Sequence, residues 1–173
     1  TISSFVQLLK KRYEGQLDEK ADTFIDFVVE GTSQMQLLIN DLLAFSRVGG
    51  GELSVGPIVV QSLLEKLLRN LRVTIEENNA EIILDGMPII YGDESQITLL
   101  MQNLISNAIK FRTAAPPRIH IFAKQQENDM KLCVRDNGIG IDPRYADEVF
   151  LIFKRLHRRE EFTGTGIGLA ICK

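Results

Sequence analysis

Late in the chain stand two glycine clusters, Asp136-Asn137-Gly138-Ile139-Gly140 and Gly164-Thr165-Gly166-Ile167-Gly168. Ahead of them runs Asn103-Leu104-Ile105-Ser106-Asn107-Ala108-Ile109-Lys110. An acid, two asparagines, a lysine and a set of glycines are groups that can hold a purine, a Mg²⁺ ion and a triphosphate. An amide oxygen is a hard ligand of the kind Mg²⁺ takes beside water and phosphate oxygens, and a lysine pairs with phosphate. A carboxylate closing an apolar strand, as Asp136 does, can accept a hydrogen bond from an adenine amino group. Gly138 and Gly140 let the backbone bend closely round such a base. Glycines ahead of a helix start, as at residues 164–168 before Leu169, expose N–H groups to an anion. The chemistry these groups point to is ATP binding.

Each motif has a plainer reading. Asp-Asn-Gly is a common turn. The later glycine run is neither a Walker A sequence, since no Gly-Lys-Ser/Thr follows, nor Gly-x-Gly-x-x-Gly. The helical segment is more telling. Ile97, Leu100, Met101, Leu104, Ile105, Ala108 and Ile109 form a core stripe, while Asn103, Asn107 and Lys110 fall at i, i+4 and i+7 on the opposite face. A merely solvated face usually carries Glu, Lys and Arg, and Asn is a mediocre helix former. Two asparagines one turn apart therefore suggest a task. Between the clusters, Phe150 and Phe153 are spaced to anchor a mobile lid, with Lys154 and Arg155 available to phosphate. Thr165 and Leu169 join the same nucleotide-binding set.

These residues need elements to position them. Asp93-Glu94-Ser95-Gln96 fits a helix start with an acidic N-cap and Gln at the third helical position, and that helix runs to about Phe111. Residues 59–78 read as one amphipathic helix, with apolar positions at 60, 63, 64, 67, 68, 71 and 75. Residues 80–84 and 89–91 look like short strands around a turn at Asp85-Gly86. Residues 118–124 and 130–136 alternate as a hairpin around Glu127-Asn128-Asp129. The order predicts an α+β sandwich, with a mixed, mainly antiparallel sheet covered by helices on one face.

The first part of the chain reads differently. Residues 1–13 are helical by the spacing of Ile2, Phe5, Val6 and Leu9, and a turn with Gly15 follows. From Glu19 to about Arg47 a long helix is expected, its stripe of Ala21, Ile25, Val28, Thr32, Met35, Ile39, Leu42 and Ser46 stepping by fours and threes. Phe24, Leu38 and Leu43 widen that stripe. Two helices cannot enclose it, so the hairpin is expected to be half of a four-helix bundle completed by a second copy in a homodimer. The domains expected are 1–48, a dimerisation and phosphotransfer hairpin; 49–58, a linker with Val48-Gly49-Gly50-Gly51 as its joint; and 59–173, the ATP-binding domain.

Composition excludes other classes. A formal net charge of −3 argues against general nucleic-acid binding. No apolar run approaches the roughly 18 residues of a membrane helix, and the opening residues do not read as a signal peptide. Cys133 and Cys172 are too few for a disulfide framework and are expected as buried thiols. The expectation is a cytoplasmic segment that touches neither nucleic acid nor membrane.

Asn-x-x-x-Asn-Ala-x-Lys, Asp-x-Gly-x-Gly, Phe-x-x-Phe and Gly-x-Gly-x-Gly occur in that order over residues 103–168. This resembles the ATP-binding domain of sensor histidine kinases, in the superfamily shared with DNA gyrase, MutL and the heat-shock chaperone ATPases. The hairpin, with Ile39-Asn40-Asp41-Leu42-Leu43-Ala44-Phe45-Ser46-Arg47, looks like the second helix of the kinase dimerisation domain, and phytochrome-type histidine kinases are most similar. The resemblance implies that Asn107 ligates Mg²⁺, supported by Asn103 and Lys110. It implies Asp136 on the adenine amino group, Gly138 and Gly140 shaping that pocket, Phe150 and Phe153 anchoring the lid, and Gly164, Gly166 and Gly168 wrapping the phosphates. A response-regulator receiver domain and an upstream sensor domain are the implied partners.

Two positions qualify the resemblance. Hydrolytic members of the superfamily carry a Glu four residues before the metal-binding Asn; here that place is Asn103, and an amide is a poor general base. Residues 1–13 hold no His, whereas in the family the accepting His lies on the first helix of the hairpin. His120 reads as a strand residue and His157 as a surface residue. The chain is therefore expected to begin just after the accepting segment and to stop before the closing strands, leaving the catalytic acceptor unknown. An ATP hydrolase of the same superfamily and a non-catalytic dimeric signalling scaffold are the alternative readings.

Overall fold

The computed structural model describes residues 2–13, 15–48, 53–126, 129–157, 162 and 164–173. The chain divides into two compact units, Thr1–Arg47 and Val48–Lys173.

In the first unit, α1 (Ile2–Tyr13) and the 30-residue α2 (Glu19–Val48) form a hairpin. Gly15 takes a left-handed conformation in the connection, and Asp18 Oδ1 accepts from Ala21 N at 2.7 Å to cap α2. An exposed Lys10–Asp26 pair at 2.6 Å crosses between the helices; screened by water, it contributes little. At about 1.5 Å per residue α2 runs about 45 Å. Its stripe is uncovered by α1: Met35, Ile39 and Leu42 are 54%, 52% and 51% exposed.

The second unit has two small sheets. Strands β1 (Val55–Val59) and β3 (Ile89–Asp93) pair antiparallel, Ile58 opposite Ile90. Strand β2 (Glu81–Asp85) pairs parallel with β4 (Arg118–Gln126), which pairs antiparallel with β5 (Asp129–Arg135). Helices α3 (Val60–Asn70), α4 (Arg72–Glu77) and α5 (Glu94–Lys110) complete the α+β fold, with the single turn of α6 (Gly168–Ile171) near the C-terminus. The core joins Val60, Leu63, Leu64 and Leu67 of α3 to Met101, Ile105, Ala108 and Ile109 of α5 and to Ile119 and Ile121 of β4. Each set recurs at its element's own period, so one face of each is apolar.

Two local expectations are corrected. The stretch 59–78 is not one helix: Leu71 leaves α-geometry and separates α3 from α4. Residues 55–59 are a strand rather than linker, with Pro57 tolerated because β1 pairs only with β3 among the described residues. The short strands expected on either side of Asp85-Gly86 are present as β2 and β3, in different sheets, and Gly86, at φ +62°, turns the chain from one to the other. The glycine joint after Val48, the tip of the β4–β5 hairpin and the charged run 158–161 fall wholly or partly outside the described residues.

Candidate functional site

The site is built on α5. Its N-cap, Asp93, accepts from Ser95 N at 2.9 Å and Gln96 N at 3.1 Å, from the Ser95 hydroxyl, and from Ser54 N at 2.9 Å across the β1 entry. The Ser95 hydroxyl above all, with these backbone donors, holds the Asp93 carboxyl below the usual carboxylate range. The cap sets the start of the helix, the apolar face fixes its rotation, and the polar flank follows. Asn103, Asn107 and Lys110 are all half-buried at its edge, outside the core.

Asn103 Nδ2 donates to Leu99 O at 3.0 Å, one turn back. Its other end faces α6: a β-carbon added at Gly168 would stand 2.8 Å from Asn103 Oδ1. At the far end of the flank, a β-carbon at Gly164 would stand 2.9 Å from Lys110 Nζ. Seven helical residues span about 10 Å, which four linking residues of loop reach without full extension. The run 164–168 therefore lies along the α5 flank in the reverse direction, and Asn107, one turn from either contact, sits between them.

Gly164 and Gly166 have φ of +144° and +77°, a region that side chains disfavour. A β-carbon at Gly166 would also press on Lys154 O at 2.9 Å. Ile167, fully buried, and Thr165 Oγ1, accepting from Ile167 N at 3.3 Å, fix the turn into α6, whose Ala170 and Ile171 are buried beside a half-buried Leu169.

The other glycine cluster is tied to the C-terminus of α5. Ile139 N donates to Phe111 O at 2.9 Å, and Gly138 sits so close to that carbonyl that a β-carbon would overlap it. Asp136 Oδ1 accepts from Gly138 N at 2.8 Å, and the Asp136 side chain stays exposed. Asn137 has a separate job, accepting from Arg118 N at 2.8 Å and donating to Pro116 O at 3.0 Å to hold the start of β4. Gly140 is at φ +72°, and a β-carbon there would meet nothing within 4 Å. Beyond it Asp142 is held below the usual range by the Arg144 side chain and N–H.

The stretch expected to present a lid differs in detail. Val149, rather than either phenylalanine, is the buried residue of a 3₁₀ turn, while Phe150 and Phe153 are 38% and 59% exposed. Phe153 anchors through its backbone, at φ +65°, with N donating to Gly166 O at 3.0 Å. Lys154 pairs with Glu148 at 2.5 Å. Arg155 donates from Nη1 to Gly164 O at 2.7 Å and from Nη2 to Phe162 O at 2.6 Å, because its planar fork fits two carbonyls better than a lysine would. Both cations expected for phosphate are engaged inside the protein in this structure.

An aromatic cluster of the region escaped the sequence reading. Phe111, His157 and Phe162 cluster with ring centroids 5.0 to 6.0 Å apart, and Lys110 Nζ lies 4.2 Å over the Phe111 ring. His157 is half-buried there rather than a plain surface residue. The one available signal was the adjacency of Phe111 to Lys110. Both cysteines are half-buried rather than fully buried, and burial pushes the Cys172 thiol up.

A β-carbon at 138, 164, 166 or 168 would stand within 3 Å of a protein atom, so at these four positions glycine is what lets the backbone approach so closely. Among the described residues no cluster of three or more His, Cys, Asp or Glu can hold a metal, so a Mg²⁺ ion here would depend on an amide oxygen, phosphate oxygens and water. Residues 92–173 match the family of histidine kinase-, DNA gyrase B- and HSP90-like ATPases. Over 172 residues the chain is 49% identical to cyanobacterial phytochrome A of Nostoc sp. strain PCC 7120, covering 99% of this chain and 22% of that protein. The chain thus spans less than a quarter of that relative's length. The structure of full-length ShkA in complex with AMPPNP is similar with a TM-score of 0.67 at 22% identity, over 99% of this chain and 40% of that one. The histidine kinase ThkA in complex with the response regulator TrrA gives 0.64 at 17% identity, over 88% and 46%. These structures share the fold.

Proposed function

We propose that residues 48–173 bind Mg²⁺–ATP and that the complete protein is a cytoplasmic sensor histidine kinase. In it the γ-phosphoryl group would leave ADP for a His nitrogen on the dimerisation helix, and pass from there to an Asp of a response-regulator receiver domain. The observation that carries the reading is the glycine run 164–168 laid along Asn103, Asn107 and Lys110, with the Asp136 loop tied to the same helix end. Asn107 would offer its carboxamide oxygen to Mg²⁺, which when bound neutralises phosphate charge. Lys110 would face the phosphates, Asp136 would accept from the adenine amino group, and the backbone N–H groups of 164–168 would line the triphosphate. Catalysis would be positioning and charge neutralisation, as is general for phosphoryl transfer. The AMPPNP bound by ShkA and the regulator bound by ThkA support the ligand and the partner. The uncovered apolar side of α2 supports dimerisation through the hairpin, and an upstream sensor domain completes the reading. No helix among the described residues is long and apolar enough to cross a membrane.

The test is a calorimetric titration of the chain with a non-hydrolysable ATP analogue and Mg²⁺. Asn107→Ala and Asp136→Ala are each expected to lower affinity at least about ten-fold, the loss of one charge-assisted contact. Unchanged affinity in both variants overturns the assignment.

A further inference from the structure

Phe111 joins three elements of the nucleotide site. Its carbonyl takes Ile139 N and crowds Gly138; its neighbour Lys110 reaches Gly164; its ring receives His157 at 6.0 Å and Phe162 at 5.0 Å. His157 and Phe162 also meet each other, edge to face, at 5.3 Å. Phe162 is the residue whose carbonyl accepts from Arg155, and the same guanidinium holds the carbonyl of Gly164. The rings and the guanidinium therefore restrain one region from two sides: the rings tie it to the end of α5, and Arg155 ties it to the glycine run.

We propose that His157 and Phe162 are positioning residues of the nucleotide site, an aromatic latch that seats the glycine run against Lys110 by closing on Phe111. The inference rests on the ATP-binding reading above. Neither residue need touch the nucleotide. Without the latch, the run keeps its tie to Arg155 and the approach of Lys110 but loses the aromatic tie to the end of α5, and its spacing from Lys110 is less firmly held. Preorganised loops bind more tightly because less order is imposed at binding. Contacts between rings at these distances are favourable beyond simple area burial. A Phe at position 157 would keep the ring contacts with Phe111 and Phe162.

The experiment titrates the whole chain with ADP and with a non-hydrolysable ATP analogue, and follows thermal melting alongside. His157→Ala and Phe162→Ala are each expected to weaken binding of the analogue about ten-fold, because the glycine run must then be ordered at binding, with the melting temperature lowered by no more than a few degrees. His157→Phe is expected to restore affinity to within about two-fold of the parent chain, which a change that merely disturbed folding would not do. If both alanine variants bind as the parent does, the latch is refuted while the nucleotide reading stands. If affinity and melting temperature fall together and His157→Phe rescues neither, the two residues are structural and the latch is refuted. If the parent chain itself binds no nucleotide, the underlying reading fails and the latch with it.

Discussion

A double-mutant cycle between Gly168 and Asn103 tests the register of the glycine run without relying on any ligand. Gly168 is the first residue of α6 and is not in the positive-φ region, so its backbone accepts an alanine. Replacing a helical Gly by Ala stabilises by about 0.5–1 kcal/mol. The added β-carbon, however, would stand 2.8 Å from Asn103 Oδ1. That oxygen cannot simply swing away, because its amide is held by the 3.0 Å bond from Nδ2 to Leu99 O. Moving it forfeits a hydrogen bond worth about 0.5–1.5 kcal/mol. The two effects nearly cancel, so Gly168→Ala alone should change stability by less than about 0.5 kcal/mol. In an Asn103→Ala background the obstruction is gone, and the same change should stabilise by about 0.5–1 kcal/mol. The coupling energy is thus about 1 kcal/mol, outside the ~0.3–0.5 kcal/mol within which independent sites add. Urea denaturation of the four chains, followed by circular dichroism, measures it. Additive effects within that margin would show that Asn103 and Gly168 do not meet and would undo the alignment of the run with α5.

Two further outcomes are expected. Asp93 is depressed by the Ser95 hydroxyl first and by the surrounding N–H donors. Its stabilising contribution is therefore complete above the unfolded value of about 3.9 and is lost as pH falls through the lower folded value. Melting temperatures between about pH 5 and pH 2.5 should fall more steeply for the parent chain than for Asp93→Asn; parallel curves would refute the assignment. On α2, Ile39→Asp and Leu42→Asp each remove apolar burial from both copies of a dimer, about 3 kcal/mol or more in total, and should weaken association at least about a hundred-fold. Sedimentation equilibrium reads this directly, and a parent chain that stays monomeric at high concentration would remove the proposed bundle.

Where a signal is local, the sequence announces the structure. Asp93 and Gln96 mark the start of α5 because an N-cap is read within four residues. The 3.6-residue period separates Met101, Ile105 and Ile109 from Asn103, Asn107 and Lys110 on the same helix. The hairpin of β4 and β5 shows in its alternation. What stayed hidden depends on partners distant in sequence. Strand β1 is masked by Gly56 and Pro57 and exists through its pairing with β3. The break at Leu71 carries neither Gly nor Pro, and the apolar spacing runs straight through it. Lys154 and Arg155 have the charge to meet phosphate, and nothing in their neighbours in sequence shows that Glu148 and two carbonyls hold them. The meeting of Phe111 with His157 and Phe162 was equally out of reach, since it needs the chain folded back on the end of α5.

Asn103 shows why residue type at one position bears on the choice between kinase and hydrolase. Its carboxamide donates from Nδ2 to Leu99 O, and its Oδ1 lies close beside Gly168. A glutamate at this position has no donor for the Leu99 carbonyl when ionised, and would set a negative charge against an acceptor. Its longer side chain would also have to find room where a β-carbon at Gly168 has none. The local structure is thus arranged around an amide, which positions but does not deprotonate water at neutral pH. In the proposed reading, α5 seats the triphosphate along one flank and brings no base to a water beside it, so the γ-phosphoryl group awaits a protein nucleophile.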